Sequence, residues 1–532
     1  MAEKKKKIAV IGGGLSGIAS VIMLRKEDLD PICFEKTDKF GGTWCYREQS
    51  VEGIASIMPT TIINHSKEMG AFSNFPPRKE YNNYMRHSEL YQYVTDYVKH
   101  NGIEKYVRYN MEVEKVKKAD DYSETGRWIV TVRNSLTGKV ETDIYDGVMV
   151  CTGHINRPKM PHYEGQEKFK GKIMHTHSLK RVHEFTDKRV VVVGMGCSAL
   201  DAAVECSSVA KQVYLSTRSG AFVINRVGPN GYPIDYVLLR RYITFFLDIL
   251  PAWLCSWYIE KFYLDPKFDH RLYTIQPKSH LLSKDPILND HIGSKILSGV
   301  VAQKGDIKYF TEEGVLFEGD KKVTEVDVVI MATGYTYKYP VLEDGVLNED
   351  DGMIHLYKLM YPIHLKHATL AIIGFLNPFG PGFPLGELQC RWAASIFAGR
   401  NHLPSEAKMM TDVKKRYYDN IKRYSPSEKM SIRVDFVQYA DEIATELGVK
   451  PNLLKLFFTD FQLFIKLLFG PCLSYQYRLE GPHKWDGARD AIMTSEERLH
   501  WPLQKKTNIV KKGFIESLIE YVINLVPSNF YL

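Results

Sequence analysis

The chain of 532 residues has no C-x-x-C pair among its eight cysteines, at positions 33, 45, 151, 197, 206, 255, 390 and 472. That excludes a zinc ribbon and a dithiol redox pair, and the cysteines read as reduced, mostly buried thiols. His175-Thr176-His177 and His364 with His367 lack acidic or cysteine partners at ligand spacing, so no metal site is assigned. A strong charge of one sign is also missing. Lys and Arg number 70 against 63 Asp and Glu, a balance of +7 spread along the chain, which argues against nucleic acid as a partner. There is no long apolar run. The segment 8–11 has four residues before glycine, too few for a signal-peptide core. The longest stretch without charge, 368–386, contains Pro378, Pro381 and Pro384 and cannot be one spanning helix. It reads as a buried strand over 368–373 followed by a rigid loop. Mean hydropathy of −0.25 argues against a polytopic membrane protein. No Ser-His-Asp or Cys-His arrangement can be defended, so no covalent nucleophile is assigned. What remains is a globular composition, 44% hydrophobic and 25% charged, long enough for several domains.

The first strong signal is at the start. Lys7-Ile8-Ala9-Val10-Ile11 is a compact apolar strand that runs into Gly12-Gly13-Gly14-Leu15-Ser16-Gly17 and then a helix over 18–24. This is G-x-G-x-x-G in the strand–turn–helix setting that gives the motif meaning. The glycines permit a tight turn and a close backbone approach to a pyrophosphate at the helix N-terminus. Glu35 ends the next strand 23 residues after Gly12, where an acid holds adenosine ribose hydroxyls. Gly41-Gly42-Thr43-Trp44 follows. The glycine pair again lets backbone approach a pyrophosphate, and Trp44 either packs beside it or belongs to ordinary core.

A second unit repeats the pattern. A strand over 188–193 feeds Gly194-Met195-Gly196-Cys197-Ser198-Ala199, the G-x-G-x-x-A variant, and Leu200 and Asp201 carry the chain into a helix. The next strand ends in Ser216-Thr217-Arg218, with Arg218 24 residues after Gly194. An acid at this point would repel a 2′-phosphate, whereas an arginine with two hydroxyls would hold one. The first unit therefore suits the unphosphorylated ribose of FAD and the second suits NADP. Two such sites in one chain suggest a flavoprotein reduced by NADPH.

With these motifs in place, the chain resembles the flavin-containing monooxygenases over nearly its whole length. The resemblance also rests on Asn64-His65-Ser66-Lys67-Glu68-Met69, on Phe169-x-Gly171-x-x-x-His175, and on Met331-Ala332-Thr333-Gly334-Tyr335. It departs from the family at Leu179, where the signature ends in an aromatic, and at Cys197, where the second glycine loop usually has Asn. The resemblance implies FAD and NADP(H) as cofactors and O2 and a small molecule as substrates. It further implies oxygenation of nitrogen or sulfur nucleophiles through a C4a-(hydro)peroxyflavin. Baeyer–Villiger chemistry on ketones is the weaker alternative, because Leu179 is not the tryptophan of that signature. An uncoupled NADPH oxidase releasing H2O2 and a membrane-associated flavoprotein that senses NADPH are the others. By the same resemblance FAD is expected at Gly12, Gly13, Gly14, Leu15, Ser16, Gly17, Glu35, Gly42, Thr43, Trp44, Asn64 and His65. NADP is expected at Ile63, Asn64, Gly194, Gly196, Cys197, Ser198, Ala199, Leu200, Asp201, Thr217 and Arg218. Asn64 is the candidate catalytic side chain, since an uncharged amide can both donate to and accept from the cofactor pair.

The expected fold is α/β, with two Rossmann-like dinucleotide-binding domains, the NADP domain inserted in the FAD domain. Two strands ending in Thr-Gly, at Thr152-Gly153 and Thr333-Gly334, mark the crossings. This assigns 1–154 and 331–445 to FAD and 155–330 to NADP. Within the latter, 222–300 is a helical insertion, rich in aromatic and aliphatic residues over 237–258, that forms a tunnel wall, a membrane-facing surface or a satellite core. Residues 446–532 are a C-terminal membrane-associating region. Its segment 453–473 is apolar but broken by Lys455, Asp460 and Lys466, which disfavours a spanning helix. An amphipathic helix is expected over 513–526, with Glu516, Glu520 and Asn524 on one face and lysines before it. It reads as an interfacial anchor against lipid, or alternatively as a packing helix of a homo-oligomer. Together with the resemblance, this implies a monotopic enzyme on the cytosolic face of the endoplasmic reticulum membrane.

Overall fold

Short, wholly apolar runs such as Ile8 to Ile11 and Val190 to Val193 suit strands covered on both faces, which is the environment of parallel sheets. The structure, a computed structural model, describes residues 4–427 and 429–504. In it these runs become the central strands of two separate five-stranded parallel sheets. The chain lays down β1 (Lys7–Ile11), β2 (Asp30–Phe34), β3 (Val107–Arg108) and β4 (Gly147–Val150). It then moves to β5 (Lys172–His175), β6 (Arg189–Val193), β7 (Gln212–Ser216), β8 (Val223–Ile224), β9 (Ile287–Leu288), β10 (Val301–Lys304) and β11 (Val328–Met331). It returns with β12 (Leu370–Ile372). The first sheet has the order β12-β4-β1-β2-β3 and the second β10-β7-β6-β11-β5. The strands β8 and β9 form a separate parallel ribbon.

The two passages between sheets follow β4 and β11. At each, a glycine takes a left-handed conformation that a β-carbon would strain: Gly153 at φ 69° and Gly334 at φ 85°. The passages lie side by side, with Lys159 N donating to Gly334 O at 2.9 Å and Thr336 N to Arg157 O at 3.0 Å.

Helix α1 (Leu15–Lys26) joins β1 to β2, and α2 (Cys197–Cys206) joins β6 to β7, completing two βαβ units. The segment 222–300 carries α3 (Arg241–Ile249) and α4 (Ala252–Ile259). After β12 the chain differs from expectation. The run to 386 is not all loop, because α5 (Gly382–Phe397) begins inside it. Pro384 falls in the first turn, where backbone N–H groups have no intrahelical acceptor to lose. All but the first two residues of α5 are buried, and the helix packs along α1. The segment after 446 holds α6 (Leu453–Thr459) and α7 (Phe461–Phe469). Asp460, one of the charges that interrupt this apolar stretch, breaks the two apart and caps α7, its Oδ1 accepting from Leu463 N at 3.1 Å. Among the described residues no helix is long and apolar enough to cross a membrane. The helix expected over 513–526 lies outside the described residues. All eight cysteines are free, seven of them buried and Cys197 half-buried.

Candidate active site

The glycine turn after β1 opens a cleft of about 380 Å³ at the strand ends of the first sheet. Gly12, Gly14, Leu15, Ser16, Glu35, Gly42, Thr43 and Trp44 all line it. The turn demands glycine: Gly12 sits at φ +99°, and a β-carbon there would lie 2.8 Å from Cys151 O. Gly13 and Gly17 are not on the wall. Gly13 N donates to Glu35 Oε2 at 2.7 Å, and a β-carbon on Gly17 would strike Gly12 O at 1.8 Å. The first is a brace for the acid and the second a close helix–strand contact. Glu35 is further fixed by Thr37, whose N and Oγ1 donate to Oε1 at 2.9 and 2.6 Å. Oε1 thus has both lone pairs filled, and Oε2, which accepts from Gly13 N alone, keeps one for a sugar hydroxyl. No acidic residue stands in the first turn of α1, and Gly14, Leu15 and Ser16 at its N-terminal end line the cleft. This donor set and open turn fit a dinucleotide pyrophosphate with an unphosphorylated ribose.

Trp44 meets Phe383 edge-on at 5.9 Å, and Phe383 in turn meets His65 edge-on at 4.8 Å. Phe383 is on the cleft wall, whereas His65 stands behind it. Burial pushes the His65 ring down to about 4, so it is neutral at physiological pH. Cleft residues not assigned from sequence include Phe383, Gly374, Lys36 and Asn156. A signal existed for Gly374, which closes the apolar strand β12 as glycines close β1 and β6. Nothing local marked Phe383 or Asn156.

The second glycine turn has the same geometry with the opposite charge. Gly194 sits at φ +123°, with a β-carbon position 2.6 Å from Ala332 O. At Gly196 a β-carbon would meet nothing, so the loop is open on that side. Cys197 begins α2, and Ser198, Ala199, Leu200 and Asp201 follow within it; Ala199 and Leu200 are buried core. Asp201 is pushed up to about 6 by burial and accepts from Asn289 Nδ2 at 3.1 Å. At the end of β7, Thr217 Oγ1 accepts from Gly220 N at 3.1 Å. The Arg218 side chain is 82% exposed and its ion pair with Asp306 is loose, at 3.9 Å. Its donors are therefore available to an anion. Lys284 also stands here, unseen from sequence, with Nζ donating to Ser219 Oγ at 2.9 Å and to Gly220 O at 2.6 Å.

The two units meet at Asn64. Ile63 is buried and Asn64 is exposed to the junction. Asn64 Nδ2 donates to Cys197 Sγ at 3.6 Å, joining the candidate catalytic residue to the second glycine loop. Cys197 thus places a soft acceptor against Asn64, and burial raises its thiol above the usual range. Leu179 is core, 1% exposed among Leu200, Val192 and their neighbours. His175 has both ring nitrogens committed: Nδ1 accepts from His177 N at 3.0 Å, and Nε2 lies 3.1 Å from Gly334 O. It therefore ties β5 to the passage after β11.

A family profile described as flavin-binding monooxygenase-like matches residues 5–526. The chain is 44% identical to flavin-containing monooxygenase 5 of Rattus norvegicus over 96% of its own length and 95% of the relative's. It is 40% identical to dimethylaniline monooxygenase [N-oxide-forming] 2 of Macaca mulatta, over 98% and 97%. Among solved structures, S-allyl-L-cysteine S-oxygenase from Allium sativum superposes with a TM-score of 0.63 at 22% identity, covering 94% of this chain and 99% of that one. Sheets, glycine turns and sequence thus agree that the chain belongs to the flavin-binding monooxygenase family and is an NADPH-dependent oxidoreductase acting on O2 and a small molecule.

Proposed function

We propose that FAD occupies the first cleft and NADPH the second glycine turn, with Asn64 between them, and that the enzyme oxygenates nitrogen or sulfur nucleophiles. The observation that carries this is the pairing of two equivalent glycine turns with opposite charges: the braced Glu35 in one and the exposed Arg218 in the other. On this reading 1–154 and 331–445 form the FAD domain, 155–330 the NADP domain, and 446–532 a C-terminal region. The flavin, when bound, supplies the redox and oxygen chemistry. The chain holds and orients. Glu35 would hold the adenosine ribose and the backbone of Gly12 and Gly14 would face the pyrophosphate, while Trp44 and Phe383 form an aromatic wall. Asn64 offers an uncharged amide at the junction, which adjusts hydrogen bonds there without adding charge. Of the relatives, the macaque enzyme's name specifies N-oxide formation, which supports a tertiary amine as first substrate. The test is product and H2O2 yield per NADPH with a tertiary amine, a thioether and a ketone. Oxygenated amine or sulfide at near-stoichiometric yield supports the proposal. H2O2 alone, or ketone as the preferred substrate, rejects it. Asn64→Ser is expected to retain FAD and lose oxygenation, and full turnover in that variant removes Asn64 from the reaction.

We also propose that the enzyme sits on a lipid surface. Phe245, Phe246 and Ile249 of α3 and Trp253 and Trp257 of α4 are exposed, as are Leu454, Phe457 and Phe458 of α6 and Phe461 of α7. Helices α3 and α7 pack together, with Tyr242 against Phe469 at 5.6 Å, so these residues crowd one region. Exposed aromatic and aliphatic residues on short helices, with Lys455 and Lys261 among them, suit an interfacial, monotopic contact. The proposed site is the cytosolic face of the endoplasmic reticulum, where eight free thiols stay reduced. Sedimentation with anionic vesicles tests this. Phe458→Asp with Trp253→Asp is expected to weaken binding, and a dimer that persists without vesicles would favour a second copy as the occupant.

A further inference from the structure

The Asn64 carboxamide is open to the junction, yet its oxygen already has a partner. Arg226, from the segment 222–300, donates from Nη2 to Asn64 Oδ1 at 2.7 Å. The arginine is itself held firmly. In the parallel ribbon Val223 pairs with Ile287 and Ile224 with Leu288, and the same register two residues on sets Arg226 beside Asp290. Arg226 N donates to Asp290 Oδ1 and Nη1 to Oδ2, both at 2.8 Å, and the arginine side chain is 12% exposed. The neighbouring Asn289 reaches Asp201 in α2 with Nδ2, while its Oδ1 accepts from His291 N and Ile292 N. A continuous polar ladder thus runs from the helix of the second glycine turn, through the ribbon, to Asn64. A second grip lies two residues further along. Buried Asp235 accepts from Ser66 N at 2.6 Å and Ser66 Oγ at 3.1 Å. Tyr84 OH ties the two grips, donating to Arg226 O at 2.9 Å.

We propose that Arg226 is a positioning residue that fixes which way round the Asn64 carboxamide stands. A guanidinium has donors only, so it can face the amide oxygen and not the NH2 group. With the oxygen held, the NH2 group spends one hydrogen on Cys197 Sγ at 3.6 Å and keeps the other for the cofactor junction. Without Arg226 the weak sulfur contact is left to hold the amide, which can then rotate and present an acceptor at the junction instead. The two orientations are opposite in polarity, so a mixed population would leave the junction correctly lined only part of the time. Arg226 acts through Asn64 and touches no reacting atom. This inference rests on the proposed place of Asn64 between FAD and NADP.

The test uses the FAD-loaded full chain in four forms: Arg226→Met, Arg226→Lys, Asn64→Ala, and Arg226→Met with Asn64→Ala. Flavin content and far-UV circular dichroism report folding. The deciding readout is oxygenated product against H2O2 per NADPH consumed. Arg226→Met is expected to lower product yield about tenfold, the factor of one charge-assisted hydrogen bond. Arg226→Lys keeps a donor-only cation and is expected to recover most of it. In the Asn64→Ala background, Arg226→Met should change nothing further, because the residue it positions is gone. Should Arg226→Met fail to take up flavin, Asp290→Asn loosens the same arginine without touching Asn64 and is expected to uncouple in the same direction. Wild-type coupling in Arg226→Met or in Asp290→Asn, or an equal further loss in the Asn64→Ala background, overturns the inference. Full product yield in Asn64→Ala would instead overturn the reading of Asn64 on which it rests.

Discussion

Replacing Arg218 by alanine tests the division of labour between the two nucleotide sites. A charge-assisted hydrogen bond to a phosphate contributes about 1.5–3 kcal/mol. Arg218 is 82% exposed, so water and salt screen it and the lower end applies. At about 1.4 kcal/mol per factor of ten, the expected loss is about tenfold in kcat/KM for NADPH. NADH lacks the 2′-phosphate, and its kcat/KM should barely move. Lys284 is a second cation in reach, and its contact with Ser219 Oγ and Gly220 O places it on the same loop. Arg218→Ala with Lys284→Ala should therefore cost more than either change alone. Burial, and then the charge of Arg218, hold the Lys284 ammonium below its ordinary range. The preference for NADPH should fade on the alkaline side earlier than a free lysine would dictate. In Arg218→Ala the repelling charge is gone, so that alkaline limb should move up. The assay is steady-state kinetics with both nucleotides at low and high salt, since the screening length shrinks from about 10 Å at 0.1 M to about 3 Å at 1 M. An NADPH/NADH ratio that is unchanged in Arg218→Ala, or insensitive to salt in the wild type, would refute the assignment.

Three further outcomes are expected. Gly12→Ala combines a left-handed φ with a β-carbon 2.8 Å from Cys151 O, so purified protein should carry little flavin by absorbance; normal flavin content would show that the turn tolerates the clash. Arg478 pairs with Glu387 at 2.9 Å, both side chains essentially inaccessible, so Arg478→Met strands a buried carboxylate and should cost about 3–5 kcal/mol in denaturant unfolding; a loss below about 1 kcal/mol would contradict the packing. The rings of His65, His154, His175 and His483 are pushed down to about 4 by burial, so the folded state binds fewer protons than the unfolded chain below about pH 6.5. The stability they contribute is present above pH 6.5 and lost toward pH 4. Asp201 and Asp235, raised to about 6, act in the opposite sense over the lower part of that window, but two carboxyls do not offset four rings. The urea midpoint should fall between pH 7 and pH 5, and a rise would reverse the assignment.

The parts of the site that were legible in the sequence are those written within a few residues of each other. The turn after β1, the turn after β6 and the acid or arginine at the following strand end are all local patterns. A glycine that must take positive φ, or a strand buried on both faces, leaves its mark on the adjacent residues alone. Helix α5 was hidden for a related reason. Its burial on nearly all sides removes the apolar–polar alternation that advertises a helix, and Pro384 in its first turn looks like a breaker. Asp460 shows the converse, since a charge that reads only as an interruption of an apolar stretch is the cap that starts α7.

What no local pattern could show is the polar ladder that reaches Asn64. Arg226 and Asn64 are 162 positions apart, and Asp235 and Ser66 are 169. Arg226 reaches Asn64 because the ribbon of β8 and β9 holds it against Asp290. Arginine and aspartate on a loop normally read as solvated charges, and in an exposed setting their pairing would be worth little. Here the pair is mostly withdrawn from water, Nη1 is held by Asp290 and Nη2 donates to Asn64 Oδ1, so the same two residue types acquire a direction. The stretch that also exposes Phe245 and Trp253 is therefore bound into the junction by hydrogen bonds at Asn64 and Ser66. An insertion that served the surface alone would have no need of Arg226 at 2.7 Å from the amide. The coupling of Arg226 to product yield is where that distinction becomes measurable.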